Sequence, residues 1–115
     1  NNEEFLIGSN GKLISNEYSS KPLPTLFGKF NSKNFLELKK KIDISKFEFT
    51  DLRAIFFFQS MRWDLETRDN ILIKLPKKNL SNALKIAYKI INDQKFKDIQ
   101  IIDLRIYNQV IITND

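Results

Sequence analysis

Two short strings set a carboxylate and a guanidinium two residues apart, Arg62-Trp63-Asp64 and Asp103-Leu104-Arg105. The chemistry open to paired acids is hydrolysis. It asks that Asp64 and Asp103 converge in a cleft, with one pKa raised so that one acid gives a proton while the other stays ionised. Nothing in the surrounding pattern makes such a cleft, and an arginine beside each acid predicts salt bridges on the surface of a sheet. Histidine and cysteine are both absent. That removes histidine triads, thiol nucleophiles, imidazole or thiolate zinc sites and a histidine switch near neutral pH. The other acids lack the oxygen-rich spacing of a calcium loop, and no lysine follows a glycine-rich phosphate loop. The chain is expected to be no enzyme and to use no metal or cofactor.

Binding is the other way for a surface to act. Nineteen basic residues against fourteen acidic ones leave a formal charge of +5, which suits anionic partners. The lysines are spread along the chain among abundant Asn, Ile and Phe, and local clusters form only at Lys39-Lys40-Lys41 and at Lys74, Lys77 and Lys78. No nucleic-acid partner is expected. A basic surface module for nucleic acid or anionic membrane is the alternative reading.

The elements that must position the two strings can be read from periodicity. At 115 residues and 42% apolar composition, ten Phe among them, the chain makes one domain with a real core. Its centre is the stretch 52–76. Residues 52–58 form a strand whose unalternating Ile55–Phe58 part is covered on both faces or bulges. After a break at Gln59 and Ser60, Met61, Trp63 and Leu65 alternate with Arg62, Asp64 and Glu66 as a half-buried strand. Arg68, Asp69 and Asn70 turn the chain, and Ile71, Ile73 and Leu75 return it with Lys74 pointing outward.

Upstream, Phe5-Leu6-Ile7 and Lys12-Leu13-Ile14 flank Asn10-Gly11, a hairpin turn signal. A polar connector, 15–21, leads to an extended path fixed by Pro22 and Pro24, with Leu23, Leu26 and Phe27 as anchors and Gly28 as the release. Asn31 or Ser32 caps a helix over about 33–41 that turns Phe35, Leu38 and Ile42 inward, with Leu36 beside them. Its three terminal lysines suit the carbonyl end of the helix. A brief strand is expected over 44–49, where Phe47 and Phe49 alternate. Downstream, Asn79 or Ser81 caps a second helix reaching about Asp93. Leu80, Leu84, Ala87 and Ile91, flanked by Ala83 and Ile90, give it a stripe wide enough to lie across a sheet. Strands over 99–106 and 109–113, joined near Tyr107 and Asn108, close the domain. Val110 and Ile112 share a face with Asn108, while Gln109, Ile111 and Thr113 take the other. Branched apolar residues on both faces of a terminal strand suit either an edge that accepts another chain or one that the helix covers on one face and a neighbouring loop on the other. The fold class is α+β: a twisted, mixed or mostly antiparallel sheet with two helices against it. Its expected core holds Trp63, Leu65, Leu84, Ala87, Ile91 and Leu104.

In this order the pieces resemble a known family. Phe5-Leu6-Ile7 with Asn10–Ile14, Leu23-Pro24 with Leu26 and Gly28, Arg62-Trp63-Asp64-Leu65 with the turn at Asp69-Asn70 and Leu75-Pro76, and Ile102-Asp103-Leu104-Arg105 with Val110-Ile111-Ile112 are similar to the C-terminal periplasmic β domain of the bacterial cell-division protein FtsQ, in its alphaproteobacterial form. Asn70 stands where relatives often carry glycine, and Ile106, Asn108 and Gln109 replace aromatic and small residues of the final hairpin.

The resemblance implies a non-catalytic scaffold of the divisome, active in septum formation. Such proteins cross the inner membrane once and place a POTRA domain ahead of this one, so the chain is expected to be part of a longer, membrane-anchored protein on the periplasmic face. The implied partners are the division proteins FtsB and FtsL, with the FtsB strand pairing along the last strand. Carried onto this sequence, the docking edge runs from Arg105 to Asn114. Ile106, Asn108, Val110, Ile112 and Asn114 set specificity there, and Arg105 meets an acid of the partner.

Overall fold

The computed structural model describes residues 22–114; the hairpin expected within 5–14 and the connector 15–21 lie outside the described residues. In the described part, β1 (Thr25–Phe27), α1 (Ser32–Ile44), β2 (Leu52–Phe57), β3 (Trp63–Thr67), β4 (Leu72–Lys74), α2 (Leu80–Ile91), β5 (Ile99–Asp103) and β6 (Ile111–Asn114) follow one another. The six strands lie side by side in chain order. The β1–β2 and β4–β5 pairs are parallel, and the other three are antiparallel. The fold is therefore α+β with a mixed, open sheet. β1, β2, β4 and β5 all run one way, and each parallel pair is bridged by a helix. Crossovers of this kind share one hand, so both helices are delivered to the same face of the sheet.

Register divides the sheet into two surfaces. Leu26, Ile55, Leu65, Ile73, Ile102 and Ile112 form a row across all six strands. The four central members are fully buried, and Leu26 and Ile112 are the partly buried ends. Phe35, Leu38 and Ile42 of α1 and Ala83, Leu84, Ala87 and Ile90 of α2 close over this row. Trp63, on the same face, touches Phe30, Phe35 and Phe57 with ring centroids 5.6, 6.3 and 4.6 Å away. Such aromatic pairs add to the stabilisation that burial alone supplies.

Several expectations need correction. β1 is a strand, where an extended anchor was expected: Pro24 is buried and Leu26 packs on the core. Residues 44–49 form no strand. α1 runs to Ile44, Ser45 Oγ donates to the Ile42 carbonyl, and a 3₁₀ turn over Phe49–Asp51 follows, tied by the Glu48 N–H to the Asp51 carboxylate. Phe47 and Phe49 still turn inward, against Tyr88 and Phe35 respectively. Met61 leaves the strand for a turn at φ 67°, with its N–H donating to the Phe58 carbonyl, and is exposed. Ile91 packs at the margin of the core while Ile90 takes the buried place, since the buried side of α2 is made by Ala83, Leu84, Ala87 and Ile90. The last strands are shorter than expected, since 104–110 is a connection.

The run Ile55–Phe58 pairs regularly with β3 as far as Phe57, and the bulge in β2 lies ahead of it. Register shifts between Leu52 and Ala54, so Arg53 is an extra residue opposite β3. The bulge puts Leu52 and Ile55 on the core face although they are three apart.

Candidate functional site

The helix-free face carries a second row: Phe27, Phe56, Asp64, Lys74, Asp103 and Ile111. Both acids of the two strings thus lie on one row, two strands apart, with Lys74 on the strand between them. Arg62 Nη1 donates to Asp64 at 2.8 Å and to the Leu75 carbonyl at 2.9 Å. Arg105 holds Asp103 with two N–H groups, the shorter contact being 2.7 Å. Each acid is occupied by its own arginine, and they do not face each other across a cleft.

The two carboxylates nevertheless differ. Asp64 is buried, and loss of solvation pushes its pKa up against the opposing pull of Arg62 and, more weakly, Lys74 and Arg105. The Arg62–Asp64 pair is therefore a partly buried ion pair, where a bridge on the sheet surface was expected. Asp103 is held below its ordinary value, first by the Arg105 hydrogen bonds, and Arg105 is raised by the same contact. Among the described residues no three His, Cys, Asp or Glu side chains group as a metal site.

The residues expected to dock a partner divide into two groups. Ile112 and Asn114 lie on β6, which ends the sheet and pairs with β5 through Ile101–Thr113, Ile102–Ile112 and Asp103–Ile111. Ile112 turns its side chain toward the core row and is half-buried; Ile111 and Thr113 occupy the other face, and Ile111 is exposed. Arg105, Ile106, Asn108 and Val110 precede the strand. They line a groove of about 570 Å³ whose opposite wall is the loop before α2 and that helix's first turns, with Lys77, Lys78, Ala83 and Ile86. Asn108 sits at φ 59°, so the alternation expected from 108 through 112 is interrupted by a turn. Leu104, at the base, is buried; its N–H donates to the Lys74 carbonyl at 2.9 Å and carries the β4–β5 pairing one residue further.

Exposed apolar side chains gather at this end. Ile106 (58%), Tyr107 (80%), Val110 (42%) and Ile111 (43%) form a nearly continuous run in the chain. Arg105 is engaged by Asp103, so the cations of the groove that make no ion pair with a described residue are Lys77 and Lys78. The place of the pre-helix loop opposite the final connection was not visible in the sequence, where Pro76 to Asn79 read as the end of a hairpin, part of a lysine cluster and a helix cap.

Comparison with known families adds one finding. Residues 1–105 match the family model described as the C-terminal region of the cell division protein FtsQ/DivIB. The match ends at Arg105, where the exposed connection begins. No curated protein matches the chain.

Proposed function

Because the chain belongs to the FtsQ/DivIB C-terminal family, and so to the machinery of cell division, we propose that it is a scaffold domain that takes a partner's chain alongside β6 as one more strand. One observation carries this reading. β6 ends the sheet with β5 as its only strand neighbour among the described residues, and the exposed run Ile106 to Ile111 leads into it. Backbone N–H and C=O groups on such an edge supply attachment, and side chains at alternate positions supply selectivity. The groove beside the edge offers apolar walls from Ile86, Ile106 and Val110 and the amines of Lys77 and Lys78, which suits an acidic, partly apolar segment next to the added strand.

The partner proposed is the FtsB/FtsL pair of the divisome. The family's domain is periplasmic in general. Among the described residues no helix is long and apolar enough to cross a membrane, so attachment to the inner membrane would come from a segment beyond the described part. The domain's task in this reading is to hold partners in place during septation, without catalysis.

Co-purification with an FtsB/FtsL-type pair tests the proposal. The wild-type chain is expected to retain the pair, and Val110→Glu, which sets a carboxylate at the mouth of the groove, is expected to lose it. A Val110→Glu protein that melts normally and still retains the pair would remove this edge and groove as the docking site. Asn108→Lys is a poorer probe than its exposure suggests, since lysine is strained at positive φ where asparagine is tolerated.

A further inference from the structure

Helix α2 stands between two grooves. Asn82, Ala83 and Ile86 face the terminal groove already described, while Ser81, Lys85, Tyr88 and Lys89 face the end of α1. There, Lys41 and Ile44 of α1 and Lys46 of the following turn complete a second depression of about 270 Å³. Its lining holds four lysines and no acid. Among the described residues, Lys41, Lys46, Lys85 and Lys89 make no salt bridge, whereas the sheet's outer face neutralises its charges locally through Arg53–Glu66, Arg62–Asp64 and Asp103–Arg105. Ile44, at the lip, is 71% exposed, the most exposed aliphatic side chain of the described residues.

We propose that this lysine-lined depression is a docking surface for an anionic lipid bilayer. Phosphodiester headgroups sit among Lys41, Lys46, Lys85 and Lys89, and Ile44 enters the boundary between headgroups and acyl chains. Charge complementarity is the first argument, since clustered lysines without acids are drawn to an anionic leaflet with no specific pocket. The second is the chemistry of the apolar centre. Single-stranded nucleic acid wants an open aromatic face on which a base can stack. The only ring lining the depression, Tyr88, stands perpendicular to Phe47 with centroids 5.2 Å apart and has the Lys46 amine over its face at 6.0 Å, and Ile44 is aliphatic. An exposed aliphatic tip ringed by amines is the pattern of an interfacial contact.

The test is sedimentation of the 115-residue chain with vesicles of phosphatidylcholine alone, or with roughly one-third phosphatidylglycerol. Binding to the anionic vesicles, weakening as salt rises, is expected. Lys85→Gln/Lys89→Gln should lower the partition coefficient about thirtyfold, at roughly fivefold per lysine. Ile44→Ser should lower it several-fold with the salt slope kept, and both variants should melt as the wild type does. Equal binding to neutral vesicles, or no change in the double lysine variant, overturns the proposal. Tighter binding to a single-stranded DNA oligonucleotide than to the vesicles would overturn it too. The double variant should still retain the FtsB/FtsL-type pair, so failure here is distinguishable from failure at the β6 edge.

Discussion

Arg62 and Asp64 are joined at 2.8 Å although only one residue separates them, with Trp63 between them driven into the core on the opposite face. The pair follows from strand parity, which puts positions two apart on one face. Arg62 also donates to the Leu75 carbonyl, just past the end of β4, so one guanidinium ties together both ends of the central hairpin. Arg62→Ala leaves a buried carboxylate without its partner and frees that carbonyl, and is expected to cost about 2–4 kcal/mol. Urea denaturation of the two proteins measures it.

The acids of the two strings should respond to pH with opposite signs. Asp64 has a raised pKa in the folded chain, so unfolded molecules ionise first. Its contribution is fully present below the ordinary aspartate range and is lost as pH rises through the raised value. Asp103 is lowered, so its contribution is present above the ordinary range and is lost as pH falls through the folded value. In urea titrations across acid to neutral pH, wild type should lose stability relative to Asp64→Asn as pH rises and gain it relative to Asp103→Asn. Parallel trends for the two comparisons would contradict the burial assigned to Asp64.

Gly28 is a position where close backbone approach leaves no room for a side chain. It sits at φ 106°, and a Cβ there would lie 2.3 Å from the Phe57 carbonyl oxygen. Gly28→Ala must shift either the end of β1 or the end of β2. A loss of about 2 kcal/mol or more is expected, combining the strained dihedral with the clash. Phe27, stacked on Phe56 with centroids 5.0 Å apart, reports on the same junction. Thermal melting of the variant checks the magnitude.

What the sequence disclosed and what it hid have physical causes. The inward row was legible where strands alternate, at Leu65 between Asp64 and Glu66 and at Ile73 beside Lys74, but not at Ile102, whose neighbour Ile101 is equally apolar. α1 was legible through Asn31, whose side chain does accept from the Asn34 N–H at 2.8 Å. β1 was hidden because three residues after Pro22 and Pro24 are too few to show a period, and its pairing with β2 depends on a helix-long crossover. The position of the β2 bulge is set by pairing with β3, which no local pattern records. Burial of Asp64 was hidden for a related reason. An aspartate beside an arginine reads as surface chemistry until the register places Phe56 and Lys74 on either side of it. At the candidate edge, the residue types were visible but the turn at Asn108 was not. Four expected docking residues consequently line a groove, and only two stand on the strand.

Ile111 and Ile112 separate a structural role from a docking role at adjacent positions. Ile112 lies opposite fully buried Ile102 and packs on the core, whereas Ile111 lies opposite Asp103 on the helix-free face and is 43% exposed. Replacing Ile112 by serine removes a half-buried aliphatic side chain and is expected to cost about 1–2 kcal/mol. Ile111→Ser should change stability by no more than about 0.5 kcal/mol, as surface substitutions usually do. If β6 is the edge along which a partner strand lies, Ile111→Ser should nevertheless weaken retention of an FtsB/FtsL-type pair, since its side chain flanks the new strand on the open face. Urea titration and co-purification of the same two variants give both readouts. A stability loss at Ile111 equal to that at Ile112 would mean that the open face is covered within the chain, and the β6 edge would lose its standing as the docking surface.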